Sequence, residues 1–178
     1  LLSENGLTPD IIVCRTEMPL NTDIRKKIAQ FCNVKLNAVI EAADLSTIYE
    51  APLAMQYEKL DSICLEKLNI KDMPEADMSN WTQFLQKLKY PKSTVTIGLV
   101  GKYVELQDAY KSILESFIHA GAINECKVEV INIHSELISK DDVEEKLGGL
   151  DGVLVAPGFG SRGIEGKIAA IKYLRENN

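Results

Sequence analysis

The sequence lacks a surplus of positive charge: 20 Lys and Arg face 26 Asp and Glu, a formal net charge of −6. The acidic residues are spread rather than gathered in blocks, and no basic face suited to a phosphate backbone is visible, which argues against nucleic acid as a partner. A pocket needs only two or three cations, so nucleotides are not excluded. Long hydrophobic runs are missing too. Stretches such as residues 11–14 and 152–155 fall far short of the ~20 residues needed to span a bilayer, so no membrane segment is expected. Cys14, Cys32, Cys64 and Cys126 make neither a C-x-x-C pair nor a dense disulfide framework, and they read as free thiols in a reducing cytoplasm. Histidine is scarce: His119 and His134 are the only two. Neither stands at metal-ligand spacing from another His or Cys, so no zinc site is expected. The chain opens without an initiating Met, a basic segment or a cleavage site, which reads as the middle of a longer protein.

What is present is a globular composition, 46% hydrophobic and 26% charged, too apolar for disorder. Residues 10–14 are a short apolar run after a Thr-Pro turn, the pattern of a strand buried on both faces of a parallel sheet. A helix capped near Thr22 should follow, because Ile24, Ile28, Phe31 and Cys32 share one face. Residues 38–40 supply a second strand and complete a βαβ unit. Two short helices, over 46–53 and 60–68, come next. Periodicity then fades around Pro74 and Pro91, which predicts a linker over 74–93 carrying a helix around 80–88. The domains are therefore 1–73 and 94–178.

The second domain begins with a buried strand at 94–100. Asp108 can cap a helix whose face is Ala109, Ile113, Ser116, Phe117 and Ala120, with Gly121 as its terminator. A strand at 127–133, a capping box at Ser139-Lys140-Asp141-Asp142, a helix stopping at Gly148-Gly149, a strand at 151–155 and a helix from Ile164 complete the order βαβαβα. The fold class is α/β, with two incomplete Rossmann-like doubly wound parallel-sheet domains joined by a linker. In such sheets ligands bind at the carboxyl ends of the strands.

Gly158-Phe159-Gly160-Ser161-Arg162-Gly163 matches G-x-G-x-x-G between a strand and a helix. It follows the third strand of its unit rather than the first, and Pro157 precedes it, so a dinucleotide site is disfavoured. A loop whose backbone N–H groups face a substrate, or a tight structural turn, fits better. Gly101-Lys102 lacks the spacing and the Ser or Thr of a P-loop and reads as a strand end. Lys27 lies opposite the apolar stripe of its helix, where most lysines are merely solvated. Cys14 sits at a strand end without an assignable base, so burial as a small apolar residue is the simpler reading.

Taken together, these segments resemble a known family. Gly6-Leu7-Thr8-Pro9-Asp10-Ile11-Ile12-Val13-Cys14-Arg15, Lys27-Ile28-Ala29-Gln30-Phe31-Cys32-Asn33-Val34 and Ser46-Thr47-Ile48-Tyr49-Glu50-Ala51-Pro52 resemble CTP synthase. So do Gly98-Leu99-Val100-Gly101-Lys102-Tyr103, Asp108-Ala109-Tyr110-Lys111-Ser112 and the segment from Pro157 to Lys167. The resemblance implies an N-terminal amidoligase domain followed by a class I glutamine amidotransferase domain. It also implies a reaction: ATP phosphorylates the UTP 4-oxygen, and ammonia from glutamine displaces the phosphate to give CTP. A cytoplasmic homotetramer using magnesium, activated by GTP and inhibited by CTP, is implied as well.

By the same resemblance Lys27 matches the lysine that contacts UTP and CTP, while Arg15 and Leu45 match positions near the ATP adenine. Gly158 matches the glycine that contacts glutamine, and Phe159 a lid residue near the GTP site. The phosphate loop and magnesium carboxylates would precede Leu1, and the nucleophilic Cys with its His and Glu would follow Asn178. No catalytic or metal residue is therefore expected within the chain, which should be inactive alone. One departure stands out. The family commonly reads Pro-Gly-Gly-Phe-Gly where this chain has Ala156-Pro157-Gly158-Phe159-Gly160, and proline has no N–H to donate. Either Gly158 supplies the oxyanion donor or the local geometry differs. Another class I amidotransferase and a non-catalytic nucleotide-binding scaffold remain as alternatives.

Overall fold

The computed structural model describes residues 3–106 and 108–177, and the chain falls into two units, Leu1–Thr82 and Gln83–Asn178. In the first unit, strand β1 (Ile12–Thr16) leads through helix α1 (Thr22–Cys32) to strand β2 (Val39–Ala43). The two strands pair in parallel, Ile12 opposite Val39 and Thr16 opposite Ala43. Helices α2 (Ala51–Tyr57) and α3 (Leu60–Lys67) follow, with Pro52 in the first turn of α2, where a missing N–H costs nothing. Ala38, Ile40 and Ile63 form the core, packed by Ile11, Val34, Met55 and Leu60. Helix α4 (Ser79–Lys89) contains the point at which the chain divides.

Three parallel strands build the second unit: β3 (Ser93–Gly101), β4 (Cys126–His134) and β5 (Gly152–Val155), in the order β4-β3-β5. Helices α5 (Lys111–Ile123), α6 (Val143–Leu147) and α7 (Ile164–Asn177) connect or follow them. Neighbouring residues of the central strand point to opposite faces. Leu99 accordingly packs with Tyr110 and Ala156, and Val100 with Ile138, Val143, Leu147 and Ala170. Both faces of β3 are thus covered, which explains the apolar run at 97–101.

Several sequence expectations shift in detail. Asn21, not Thr22, caps α1, its side chain accepting the Ile24 N–H at 2.9 Å. Phe31, expected on the buried face of α1, is 97% exposed, and Ala29 is the buried residue of that helix. Asp108 does not cap α5, which starts at Lys111, because the turn before it delivers Tyr110 to the end of β3. Nor does α5 stop at Gly121. A Cβ there would lie 2.6 Å from the Cys126 carbonyl oxygen, so glycine is what allows the helix to lie against β4. Only half of the expected box forms between Ser139 and Asp142: the Ser139 N–H donates to Asp142 Oδ1 at 2.7 Å, while Ser139 Oγ accepts from the Asp141 N–H at 3.3 Å. That turn precedes α6 rather than lying within it.

Candidate functional site

In the first unit the carboxyl ends of β1 and β2 lie side by side. Arg15 stands opposite Ala42, and its Nε bonds Asp44 at 3.2 Å across the strand ends. The Asp44 N–H continues the ladder to Thr16 O at 3.0 Å, so Leu45, 40% exposed, emerges beside the same edge. Arg15 and Leu45 are therefore neighbours in the fold although 30 positions apart in sequence. Lys27 is exposed on α1.

What anchors α1 is Arg25. Its guanidinium donates to both Glu58 oxygens (2.6 and 3.0 Å), to Glu41 Oε2 (3.1 Å) and to Val39 O (2.9 Å). Glu58 also accepts the Glu41 N–H at 2.9 Å, and Glu41 accepts the Leu20 N–H at 2.6 Å. The side-chain hydrogen bond from Arg25 holds the Glu58 carboxyl below the usual carboxylate range, against the opposing effect of burial. A cavity of about 410 Å³ opens beside this network, lined by Arg25, Glu58, Lys59, Asn37 and Ser62 among others. Cys14, half-buried on β1, has its thiol pushed up, first by burial and then by Cys32, with Arg25 opposing. That favours the thiol over the nucleophilic thiolate, and all four cysteines are free.

The second unit places residues 156–163 at the carboxyl end of β5, next to the end of β3. Ala156, 2% exposed, donates its N–H to Val100 O at 2.8 Å, extending the ladder one residue past β5. Lys167, in the first turn of α7, donates from Nζ to Ala156 O at 2.8 Å. Lys102, 6% exposed, donates from its Nζ to Phe159 O. Gly158 lies between the two cations: a Cβ there would be 3.3 Å from Lys102 Cε and 3.3 Å from Lys167 Nζ. Arg162 pairs with Glu136 at 2.9 Å, and the Tyr103 ring lies between Lys102 and Arg162, 5.1 and 5.6 Å from its centroid. Phe159 turns its ring to solvent, 97% exposed, while its carbonyl is held. Gly160 and Gly163 take φ of +83° and +72°, conformations that explain glycine at both positions.

The structure thus brings Gly158 and Phe159 together with Lys102, Lys167 and Arg162. The sequence pattern marks Gly101-Lys102 only as a strand end and gives Lys167 no role of its own. A lysine directly after the apolar run at 97–101 was the available signal for Lys102. His134 and His119 have local partners instead: His134 Nδ1 accepts the Glu136 N–H at 3.3 Å, and His119 meets Phe84 edge to face at 6.2 Å. Among the described residues no group of three or more His, Cys, Asp or Glu could hold a metal ion. Among the described residues no helix is long and apolar enough to cross a membrane.

A glycine loop held by two lysines at the end of a parallel sheet, following a separate βαβ unit, defines a protein of two α/β parts. The model for class I glutamine amidotransferases matches residues 105–178, and that for the CTP synthase N-terminus matches residues 1–70. The chain is 63% identical to CTP synthase of Flavobacterium johnsoniae over 99% of its length and 60% identical to that of Cytophaga hutchinsonii over 100%. It spans 33% of each of these relatives. A solved structure of Trypanosoma brucei CTPS, its glutaminase domain with acivicin bound, matches 47% of this chain and 33% of that one at 36% identity, with a TM-score of 0.43. The chain belongs to the CTP synthase family, of which it is one part.

Proposed function

We propose that this chain serves a ligase that makes CTP from UTP, ATP and ammonia released from glutamine, and that it joins the end of the amidoligase part to the opening half of the glutaminase. In this reading residues 1–73 belong to the amidoligase, 74–93 to the linker and 94–178 to the amidotransferase. Lys27 offers a point charge to the UTP or CTP triphosphate. Arg15 and Leu45, neighbours at the strand ends, border the ATP adenine. Gly158 meets glutamine and Phe159 borders the GTP that activates the enzyme. The assembly is a homotetramer in the cytoplasm, and magnesium is bound by carboxylates outside this chain. Alone, the chain has neither nucleophile nor phosphate loop and is inert.

The observation that carries the reading is the pairing of a CTP synthase N-terminal match with a glycine loop held at the carboxyl end of β5. A bare amidotransferase subunit or a scaffold has no use for the first of these. Gly158 is free of positive φ, and its would-be Cβ faces only flexible lysine tips. Gly158→Ala should therefore fold. In the full-length protein it is expected to lower glutamine-dependent CTP formation by ~10²-fold, because the added methyl presses on Lys102 and Lys167 and turns the retained N–H of residue 158 away from the oxyanion, while synthesis from free ammonia stays nearly intact. Equal loss of both activities, or loss of neither, refutes it.

A further inference from the structure

The cation on α7 carries an inference beyond this assignment, though it rests on the reading of residues 156–163 as the glutamine-facing loop. Proline at 157 supplies no N–H, so the Gly158 amide is the first donor the loop can offer after β5. How that amide points depends on what precedes it. The Ala156 N–H is fixed to Val100 O and the Ala156 carbonyl to Lys167 Nζ, so the peptide plane before Ala156 and the plane leading into Pro157 are each held at one point. The pyrrolidine ring then sets φ of Pro157, and the peptide bond that follows is planar. Between the Ala156 carbonyl and the Gly158 N–H one soft torsion remains, ψ of Pro157.

On the far side of Gly158 the Phe159 carbonyl is gripped by Lys102. Lys167 is an unlikely choice for helix stability, since a cation in the first turn opposes the helix dipole. It reaches the loop because Gly166 lets α7 settle directly on Ser135: a Cβ at 166 would lie 1.8 Å from Ser135 O.

We infer that Lys167 is a positioning residue for glutamine hydrolysis: by holding the Ala156 carbonyl it aims the Gly158 N–H at the developing oxyanion, a task that Pro157 leaves to one torsion. The group acts through Gly158 and touches no reacting atom. The test is Lys167→Met in the full-length enzyme, with Lys167→Gln as a second variant whose shorter side chain cannot span the same gap, each assayed for ammonia release from glutamine and for CTP formation from free ammonia. The expected result is a kcat for glutamine about tenfold lower with KM within about twofold of the parent, and an unchanged ammonia-dependent rate. A raised KM at unchanged kcat, equal loss of both rates, or no change overturns the inference. Gly158→Ala run alongside separates the two failures: if it depresses the glutamine rate while both Lys167 variants do not, the loop reading stands and the role of Lys167 falls. If Gly158→Ala is also without effect, the loop reading falls first.

Discussion

Removing the Glu58 carboxylate should cost the first unit about 2 kcal/mol. Glu58→Ala deletes the two-point contact with Arg25 at 2.6 and 3.0 Å and the acceptor for the Glu41 N–H at 2.9 Å. Breaking a fully buried ion pair costs about 3–5 kcal/mol, chiefly because the surviving charge is left unpaired. Here the side chains keep 23% and 16% of their exposure, and Glu41 remains as a second carboxylate 3.1 Å from Arg25, so the loss is smaller. The assay is urea unfolding followed by the fluorescence of Trp81, the only tryptophan, whose indole N–H donates to Tyr49 O at 2.8 Å in the same unit. At a slope of about 1–2 kcal/mol per molar urea, the midpoint should fall by roughly 1–2 M. Adding Arg25→Met to Glu58→Ala should cost more again, since the Glu41 carboxylate and the Val39 carbonyl then lose the guanidinium that serves them. The pH dependence has a definite sign. Glu58 has a folded value below its unfolded one, so its contribution is present above the ordinary carboxylate range, about 4.3, and is lost as pH falls through the depressed value. The gap between parent and variant should thus be full near neutrality and close in acid. A neutral gap under about 0.5 kcal/mol, or one that widens on acidification, refutes the reasoning.

Lys27→Ala in the full-length protein should weaken UTP and CTP together by about 1–3 kcal/mol while glutaminase turnover is spared; unchanged affinities would leave Lys27 a solvated surface residue. Gly166→Ala should lower thermal stability by about 2–4 kcal/mol, because its Cβ would lie 1.8 Å from one backbone oxygen and 3.0 Å from another. Since alanine is otherwise the better helix former by about 1 kcal/mol, a rise in Tm would show that the contact with Ser135 relaxes freely.

β3 was legible from 94–100 because burial on both faces leaves an apolar mark, whereas β1, anticipated from 10–14 as buried on both faces, keeps one face open, with Val13 52% exposed. The glycine loop was legible because positive φ at Gly160 and Gly163 needs that residue type. What escaped was polar and distant. Lys102 meets a carbonyl 57 residues away, and Arg25 meets Glu58 over a separation of 33, contacts that no periodicity encodes. The start of α5 was misplaced for a related reason. Asp108 has the chemistry of a cap, but the turn is shaped by Tyr110 reaching back to β3, a tertiary demand that overrides a local preference.

That reach ties two positions into one heritable unit. The Tyr110 hydroxyl accepts the N–H groups of Lys102 and Tyr103 at 3.2 and 3.3 Å, and a side chain at 101 would lie 2.5 to 2.7 Å from three atoms of the Tyr110 phenol. Losing the ring strands two backbone donors at about 1–3 kcal/mol apiece, while adding a methyl at 101 expels the ring. Neither position can drift first without the lineage crossing a stability trough, so Gly101 and Tyr110 should vary together or not at all, and an ancestor that acquired the pair could not easily shed it.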